Sequence, residues 1–584
     1  MYGNVDSSPI GNLVKEWLRI DQNPDTRKQI EQLWNEQDLG ELDKRMSKRI
    51  EFGTAGLRGR MEAGWSRMND LVIIQAAQGL CAYVIEHVKN ATERGVVIGH
   101  DHRYHSEHWA ALTASAFIAC GVKVHLLHGL VHTPMIPFSV KKLSAACGVM
   151  ITASHNPKDD NGFKVYWENA VQIISPHDQG IAQAILENLE PKTWDTETIA
   201  LSDNCIDLTD SLIEAYHLYL QTLCHSRTLN AKCNVKFVNT SMHGVSHPFV
   251  TRAWNDFSFP PFITVEEQQN PHPDFPTLKF PNPEEKGALA SLDLAIATAD
   301  REGAMYILAQ DPDADRFSAA ERGPSGEWNI FTGDQIGALF ASRVLELHKS
   351  SGKPIGNLAM VASTVSSKML EAMAKVEGFW FVECLTGFKF IGNMALTLEA
   401  QGYEVPFGYE EAIGFMLASE IKDKDGVAAT IFFAELVAMA HAQGKTTSNG
   451  YFICNDPKII NKIFQHLRNF STESTGNMLH YPTLIANLKI TSIRDLTTGY
   501  DSANPPTYKA TMPLSSGHMI QFRASDANVK IALTIRTSGT EPKIKYYLEG
   551  NGKDAALVDH ILQNVIRELG DSWLEKKLFG LQHS

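Results

Sequence analysis

Three aspartates at alternate positions, Asp311, Asp313 and Asp315 in DPDADR, can close around one cation. Pro312 restrains the turn between them. Oxygen-only ligands suit a hard ion, Mg2+ above all. A calcium-binding EF-hand is excluded. The sixth position of the loop holds Arg316 where that loop needs glycine, and the twelfth holds Arg322 where it needs glutamate. The plain alternative is a solvated acidic turn. Arg316, directly behind the triad, adds a charge that can face a phosphate.

Three further loops carry chemistry. In MITASHNPKDDNG (150–162) an apolar run stops at Ser154, followed by His155. A serine nucleophile wants a base beside it. Neighbours on an extended chain point to opposite sides, so adjacency alone does not make His155 that base. No GxSxG elbow is present, which argues against an α/β-hydrolase. RTSGTEPK (536–543) sets Arg536, Ser538, Gly539 and Thr540 after an apolar strand, with Lys543 and Lys545 following. Backbone N–H groups, hydroxyls and a guanidinium make a phosphate cradle; the alternative is a solvated β-turn. GYEEAIG holds Glu410 and Glu411, able to accept hydrogen bonds from sugar hydroxyls. LTGFKF places Lys389 beside Gly387, a proton-transfer group if desolvated. Taken singly, each of these has an ordinary surface explanation.

The elements around these loops read as α/β units. Residues 8–50 have apolar positions at helical spacing and form a helical cap, with Asp25 as an expected N-cap. GVVIG, VKVHLL and AACGVMI are predicted strands, the last delivering TASHNP. NVKFVN, FITVEE and MYILAQ follow, the last ending in DPDADR. Then come LAMVAS and FWFVECLTGFKF, the latter expected as a strand entering a loop, and a long helix through GVAATIFFAELVAMAHAQ. Alternation of this kind implies mixed sheets covered on both faces. The tail changes to β-strands with turns and a final helix from about 553 to 568, an α+β module. The expected organisation is a cap at 1–50, α/β domains at 51–205, 206–326 and 327–455, a linker at 456–483 and an α+β domain at 484–584.

The chain has 584 residues and a net charge of −14. That length suits about three to five domains of roughly 100–200 residues. The acidic balance speaks against a nucleic-acid partner and requires a local basic pocket for any anionic substrate. Eight cysteines are scattered without a CxxC pair, as expected of reduced thiols. The start, MYGNVDSSPIGNL, lacks the pattern of a signal peptide. No apolar run approaches the ~18 residues of a membrane span. The cytoplasm is the expected compartment.

TASHNP, DPDADR, GYEEAIG and RTSGTEP, in that order, resemble the phosphohexomutase family, the α-D-phosphoglucomutases and phosphomannomutases. FGTAGLRG (52–59) fits that family's N-terminal signature, and the resemblance runs from about residue 50 to 550. It implies four domains around one cleft, each giving one loop. It further implies that Ser154 is carried as phosphoserine and completes a Mg2+ site with Asp311, Asp313 and Asp315. Arg58 and His155 would line the phosphoserine, with Arg316 near the transferring phosphate. Lys164, in NGFKVY, and Lys389 would be general acid/base groups. Glu410 would bind sugar, with Thr386, Gly387 and Ala412 close by. Arg536, Ser538, Gly539, Thr540 and Lys543 would hold the phosphate that stays on the sugar.

One departure bears on specificity. Many glucose-type members have serine after the two glutamates, where this chain has Ala412. A hydrogen bond lost there is worth about 0.5–1.5 kcal/mol. GYEEAIG with the following DKDG resembles the branch of eukaryotic phosphopentomutases and glucose-1,6-bisphosphate synthases. The implied activity interconverts pentose 1- and 5-phosphates, and glucose 1- and 6-phosphates, with a sugar 1,5- or 1,6-bisphosphate as activator. The rival is a bisphosphate synthase fed by an acyl phosphate. A non-catalytic sugar-phosphate binder would need a broken metal loop or a missing serine. A metal-dependent phosphatase would have no reason to keep the RTSGTEP cradle. The expected partners are sugar phosphates, with no nucleic acid or membrane, in a monomer or weak dimer.

Overall fold

Ser8, Asn23 and Asp38 each start a helix, Pro9–Ile20, Pro24–Asn35 and Leu39–Met46, and each accepts a backbone N–H from the first turn. The expected cap at Asp25 is corrected to Asn23: Pro24 occupies the first helical position, which its fixed φ favours, and so moves the cap back. Val14, Trp17, Ile30, Trp34 and Leu42 fill the core of this cap and meet Trp65 and Leu71 of the domain that follows. Burying a side chain such as Val14 contributes roughly 1.5–3 kcal/mol.

The computed structural model describes residues 8–53, 56–284, 291–323, 326–443, 454–455, 457–470, 480–515, 517–537, 543–552 and 555–574. The chain divides into two compact units. The first comprises Met1–Val361 and Gly387–Asn449, the second Ala362–Thr386 and Gly450–Ser584.

In the first unit, β1 (Leu57–Arg60), β2 (Val96–His100), β3 (Val124–Leu126), β4 (Cys147–Ile151) and β5 (Asp160–Trp167) form one sheet in the order β1-β5-β4-β2-β3. β2 runs parallel to β3 and β4, while β5 is antiparallel to β4 and to β1. The second sheet repeats the plan with β6 (Phe237–Thr240), β7 (Ile263–Thr264), β8 (Tyr306–Gln310), β9 (Phe317–Arg322) and β10 (Trp328–Ile330), in the order β10-β9-β8-β6-β7. β10 lies past the domain boundary expected at 326 because it turns back to pair with β9. In the third sheet the strand Glu404–Glu410 lies between the strands Leu358–Ser363 and Gly414–Leu417. Helices flank these strands, among them Asp70–His87, Ser106–Ile118, Gly333–Ser350, Phe388–Ala400 and Gly426–Gln443. These are three α/β domains with mixed sheets, as expected.

The run FWFVECLTGFKF does not stay extended to its end. The strand Trp380–Cys384 stops, Gly387 takes φ +116°, and the helix Phe388–Ala400 begins. Only glycine adopts that conformation readily, so the break is written in the sequence. Lys389 therefore stands on the first turn of a helix rather than in a loop.

The second unit holds an antiparallel sheet built on Leu488–Asp495, Met519–Ser525, Val529–Thr537 and Lys543–Gly552. The stretch 456–483, expected as a linker, contains the helix Pro457–Arg468. Its Ile463, Phe464 and Leu467 are buried in that unit's core with Val565, Leu569 and Trp573. The segment Ala362–Thr386 belongs with it through ion pairs of Glu371 with Arg523 (3.0 Å) and Glu383 with Arg494 (3.1 Å).

Candidate active site

The carboxyl ends of β4 and β8 carry the serine and the aspartates. This is the edge where ligands of α/β sheets bind. β4 is flanked by β2 and β5, and its exit is shaped by both. Thr152 N–H donates to the carbonyl of Gly162 (3.1 Å), and a Cβ on Gly162 would stand 2.5 Å from the Thr152 oxygen. Glycine is therefore required for this approach. The chain then turns at Ser154, which takes φ +53°, with its N–H donating to Thr152 Oγ1 (2.9 Å). Ser154 is 2 % exposed.

This left-handed turn settles the relation of Ser154 to His155. On an extended chain the two side chains would diverge; here His155 Nδ1 lies 3.2 Å from Ser154 Oγ. Burial, then the nearby Arg316 and Arg58, push the imidazole well below its usual pKa, so it is neutral. Ser154 Oγ also donates to Asp311 Oδ2 (2.8 Å). Register brings in two cations. Arg58 on β1 pairs with Gly162, and Lys164 lies two residues further along β5, on the same face. Arg58 Nη1 donates to Asn156 Oδ1 (3.0 Å) within the serine loop.

The loop after β8 folds on itself. Asp311 Oδ1 accepts the Arg316 N–H (2.9 Å), and Ala314 takes φ +52°. Ligand oxygens of Asp311, Asp313 and Asp315 come within 4.8 Å of one another, all buried. Lys164 Nζ donates to Asp313 Oδ2 (2.6 Å) and Asp315 Oδ2 (3.0 Å), and Thr133 Oγ1 donates to Asp313 Oδ2 (2.5 Å). The two Oδ1 atoms of Asp313 and Asp315 are buried and accept no hydrogen bond from the described residues. Arg316 Nε stands 3.8 Å from Asp315 Oδ1, and these two carboxylate oxygens, beside Asp311 and Ser154 Oγ, fit a hard divalent cation.

The charges divide unequally. Burial, then Asp313 and Asp315, push Asp311 well above the usual carboxylate range. Asp313 is also desolvated, but Lys164 beside it outweighs that and holds it far below. Lys164 is pulled down by burial and lifted above its ordinary value by the two aspartates. An ammonium fixed this way acts as a counter-ion that orients carboxylates. That is a poor setting for the proton-transfer role expected of it.

The third loop is bonded to the second. Arg316 forms a bridge with Gly414, and its Nη1 donates to the Ala412 carbonyl (2.5 Å). Its Nη2 lies 3.6 Å from Glu410 Oε1. Gly426, whose added Cβ would meet the Arg316 oxygen at 2.4 Å, lets DKDG press against the same loop. Lys424 of that segment stands 3.3 Å from Asp315 Oδ2. Burial raises the Glu410 pKa against the pull of Arg316 and Lys424. Lys389 is lowered by burial to about 8, with Asp178 and Glu410 working the other way.

The other expected residues belong to the second unit. Arg536 there donates to Tyr547 Oη (3.0 Å), with its guanidinium over the Tyr547 ring. Thr386 is half-buried at that unit's edge. Ser538, Gly539 and Thr540 lie outside the described residues, as does the side chain of Lys543.

Arg103, Thr133 and Lys424 were not singled out from the sequence. Arg103 is buried, 3.5 Å from Asp101 Oδ2, and its two terminal nitrogens donate to four carbonyls of the serine loop. These are Ser154 (2.6 Å), Asn156 (2.7 Å), Pro157 (2.8 Å) and Asp160 (3.0 Å). The available signal was its place in GHDHR, directly after a parallel strand. Arg103 is thus a positioning residue. Arg103→Lys loses the planar fork and is expected to lower kcat up to about 100-fold, the cost of a misplaced reacting group. KM should hold and circular dichroism should report a folded chain. A parallel loss of KM and fold would refute positioning.

Comparisons with known proteins agree with this geometry. Family models described as phosphoglucomutase/phosphomannomutase, alpha/beta/alpha domains I, II and III match residues 49–192, 214–325 and 332–451. The chain is 44% identical to a probable phosphoribomutase of Schizosaccharomyces pombe, covering 98% of each. It is 45% identical to a phosphopentomutase of Mus musculus, covering 97% of this chain and 95% of that one. It is 41% identical to a glucose 1,6-bisphosphate synthase of Homo sapiens, with the same coverage of 97% and 95%.

Proposed function

The chain belongs to the phosphoglucomutase/phosphomannomutase family, and from that premise we propose that it is a phosphopentomutase that also turns over glucose phosphates. The observation that carries this is Ser154 Oγ, buried at the end of β4 and bonded to one of three clustered aspartates. Phosphoryl transfer needs positioning and charge neutralisation above all, and the site supplies both. Ser154 carries the phosphoryl group. A free hydroxyl of the sugar monophosphate attacks its phosphorus, the Oγ–P bond breaks, and the hydroxyl proton passes to a base. The sugar bisphosphate turns over, and its other phosphate returns to Ser154. Arg103 fixes the loop, Lys164 orients two carboxylates, and Arg58 and Arg316 face the transferring group. Mg2+ held by Ser154, Asp311, Asp313 and Asp315 would withdraw charge from the ester. Glu410 receives sugar hydroxyls, and Arg536 is assigned the resting phosphate because a guanidinium fork suits it. A bisphosphate activator re-forms the phosphoserine when the intermediate escapes.

Lys389 is the candidate base, because its pKa of about 8 lets it accept a proton near neutrality. The neutral amine grows as pH passes 8, so kcat for hydroxyl attack should rise through that point and level off above it. In Lys389→Arg the limb should vanish and kcat should fall. A limb that survives the substitution assigns the base elsewhere.

The test of the function is a coupled assay of ribose 1-phosphate against glucose 1-phosphate. Pentose phosphate should have the higher kcat/KM. A chain without pentose turnover, or one that releases glucose 1,6-bisphosphate only when given an acyl phosphate, favours the synthase. Ala412 enters here. Its methyl group faces a glucose phosphate with one partner fewer than serine would offer. Ala412→Ser should move the ratio toward glucose by up to about tenfold, the value of one neutral hydrogen bond. An unaltered ratio places specificity outside this loop.

A further inference from the structure

Tyr216 is fully buried on the helix Thr209–Gln221, which packs against the helices Met135–Leu143 and Ser246–Asp256. Its ring meets the His132 ring edge to face, with centroids 4.8 Å apart, and Phe249 lies against the same imidazole at 4.1 Å. Neither ring nitrogen of His132 has a hydrogen-bond partner among the described residues, so packing places this buried side chain. The next residue is Thr133. Its N–H donates to the Asp313 carbonyl (2.9 Å), and its hydroxyl to Asp313 Oδ2 (2.5 Å).

The hydroxyl of Tyr216 reaches a second segment. It stands 2.9 Å and 3.1 Å from the two carboxylate oxygens of Asp425 and donates to that carboxylate. Asp425 is fixed further. Its Oδ1 accepts the Ala428 N–H (2.9 Å), capping the helix Gly426–Gln443, and its own N–H donates to the Phe415 carbonyl (3.0 Å). On one side of Asp425, the Gly426 N–H donates to the Ala314 carbonyl (3.0 Å) of the aspartate loop. On the other side stands Lys424, 3.3 Å from Asp315 Oδ2.

We propose that Tyr216 is a positioning residue of the metal site, setting Asp313 through His132 and Thr133, and Asp315 through Asp425 and Lys424. The inference rests on the metal-dependent transfer proposed above. Asp313 and Asp315 occupy alternate positions of one turn, and Mg2+ accepts ligand oxygens only near ideal octahedral geometry. A turn carrying two such ligands has to be fixed from outside. Each aspartate is held by one neighbour, Thr133 or Lys424, and each neighbour sits one residue from a side chain that Tyr216 touches. The ring fixes one arm and the hydroxyl the other, so the phenol governs the spacing between the two carboxylates. Partners one layer outside a metal are worth about 10- to 100-fold in affinity or activity.

Tyr216→Phe keeps the ring on His132 and removes the hydroxyl. Calorimetric titration of the full chain with Mg2+, without substrate, should show an affinity about 10-fold below wild type. The kcat should fall in parallel while the KM for sugar phosphate holds, and circular dichroism should report a folded chain. Asp425→Asn retains the helix cap and should lose as much. The double variant should lose no more than either single change, because the two residues act as one unit. Tyr216→Leu also withdraws the ring from His132 and should weaken Mg2+ binding further, by about 100-fold in all. If Tyr216→Leu does not fold, Tyr216→Phe and the double variant decide. Wild-type Mg2+ affinity in Tyr216→Phe, or losses that add in the double variant, overturns the proposal. The calorimetry uses no substrate, so the two readings fail separately: the positioning role as an unaltered Mg2+ affinity, the mutase as missing pentose turnover.

Discussion

Ser154→Ala is expected to abolish turnover, a fall on the order of 10⁴-fold or more, because removing the group proposed to carry the phosphoryl leaves only binding. The same variant should lose a mass increment. Intact wild-type protein should contain a fraction heavier by one phosphate, mapped to Ser154, and the alanine variant should show none. The geometry gives the reason. Ser154 Oγ is buried, 2.8 Å from Asp311 Oδ2 and 3.2 Å from His155 Nδ1. No other hydroxyl in this loop has such partners: Thr152 Oγ1 faces back to accept the Ser154 N–H. Wild-type turnover in Ser154→Ala ends the assignment.

Asp313→Asn should be nearly as damaging, through the metal. The carboxylate takes Lys164 and Thr133 on one oxygen and leaves the other for a cation. An amide of the same shape must either face its N–H groups to the Lys164 ammonium or turn them toward the cation. Changes one layer outside a metal site already cost 10- to 100-fold. The ligand itself should cost at least about 100-fold in Mg2+ affinity, read by calorimetry, with turnover falling in parallel and partly recovering in excess metal. Full wild-type activity in excess EDTA would sink both the ligand assignment and the need for a cation.

What could be read from the sequence was chemistry confined to short stretches. DPDADR announces three ligands because carboxylates two residues apart can face one point. TASHNP announces a loop because an apolar run halts at polar groups. What could not be read was work done by the backbone. Arg103 binds four carbonyl oxygens, and carbonyls carry no letter in a sequence. The left-handed turn at Ser154 falls on a serine, not on the glycine or asparagine that would flag it, so its closeness to His155 stayed hidden. Lys164 was legible only as an acid/base group implied by the family resemblance. Its bond to two aspartates depends on β5 lying beside β4, a pairing between strands. The helix at Phe388–Ala400 was obscured by an apolar run that suits a strand equally well, although Gly387 marked the break.

Arg316 touches two loops at once: its N–H closes the aspartate turn, and its guanidinium holds the Ala412 carbonyl beside Glu410. A side chain shared between two ligand sites makes their affinities interdependent. A sugar hydroxyl that draws Glu410 away alters the charge Arg316 presents to Asp311 and Asp315, and a cation on the aspartates alters what Arg316 offers Glu410. Linkage requires the two effects to be equal in size. With Glu410 proposed for the sugar and the aspartates for the cation, the sugar dissociation constant is expected to depend on free metal concentration, with Arg316 setting the slope.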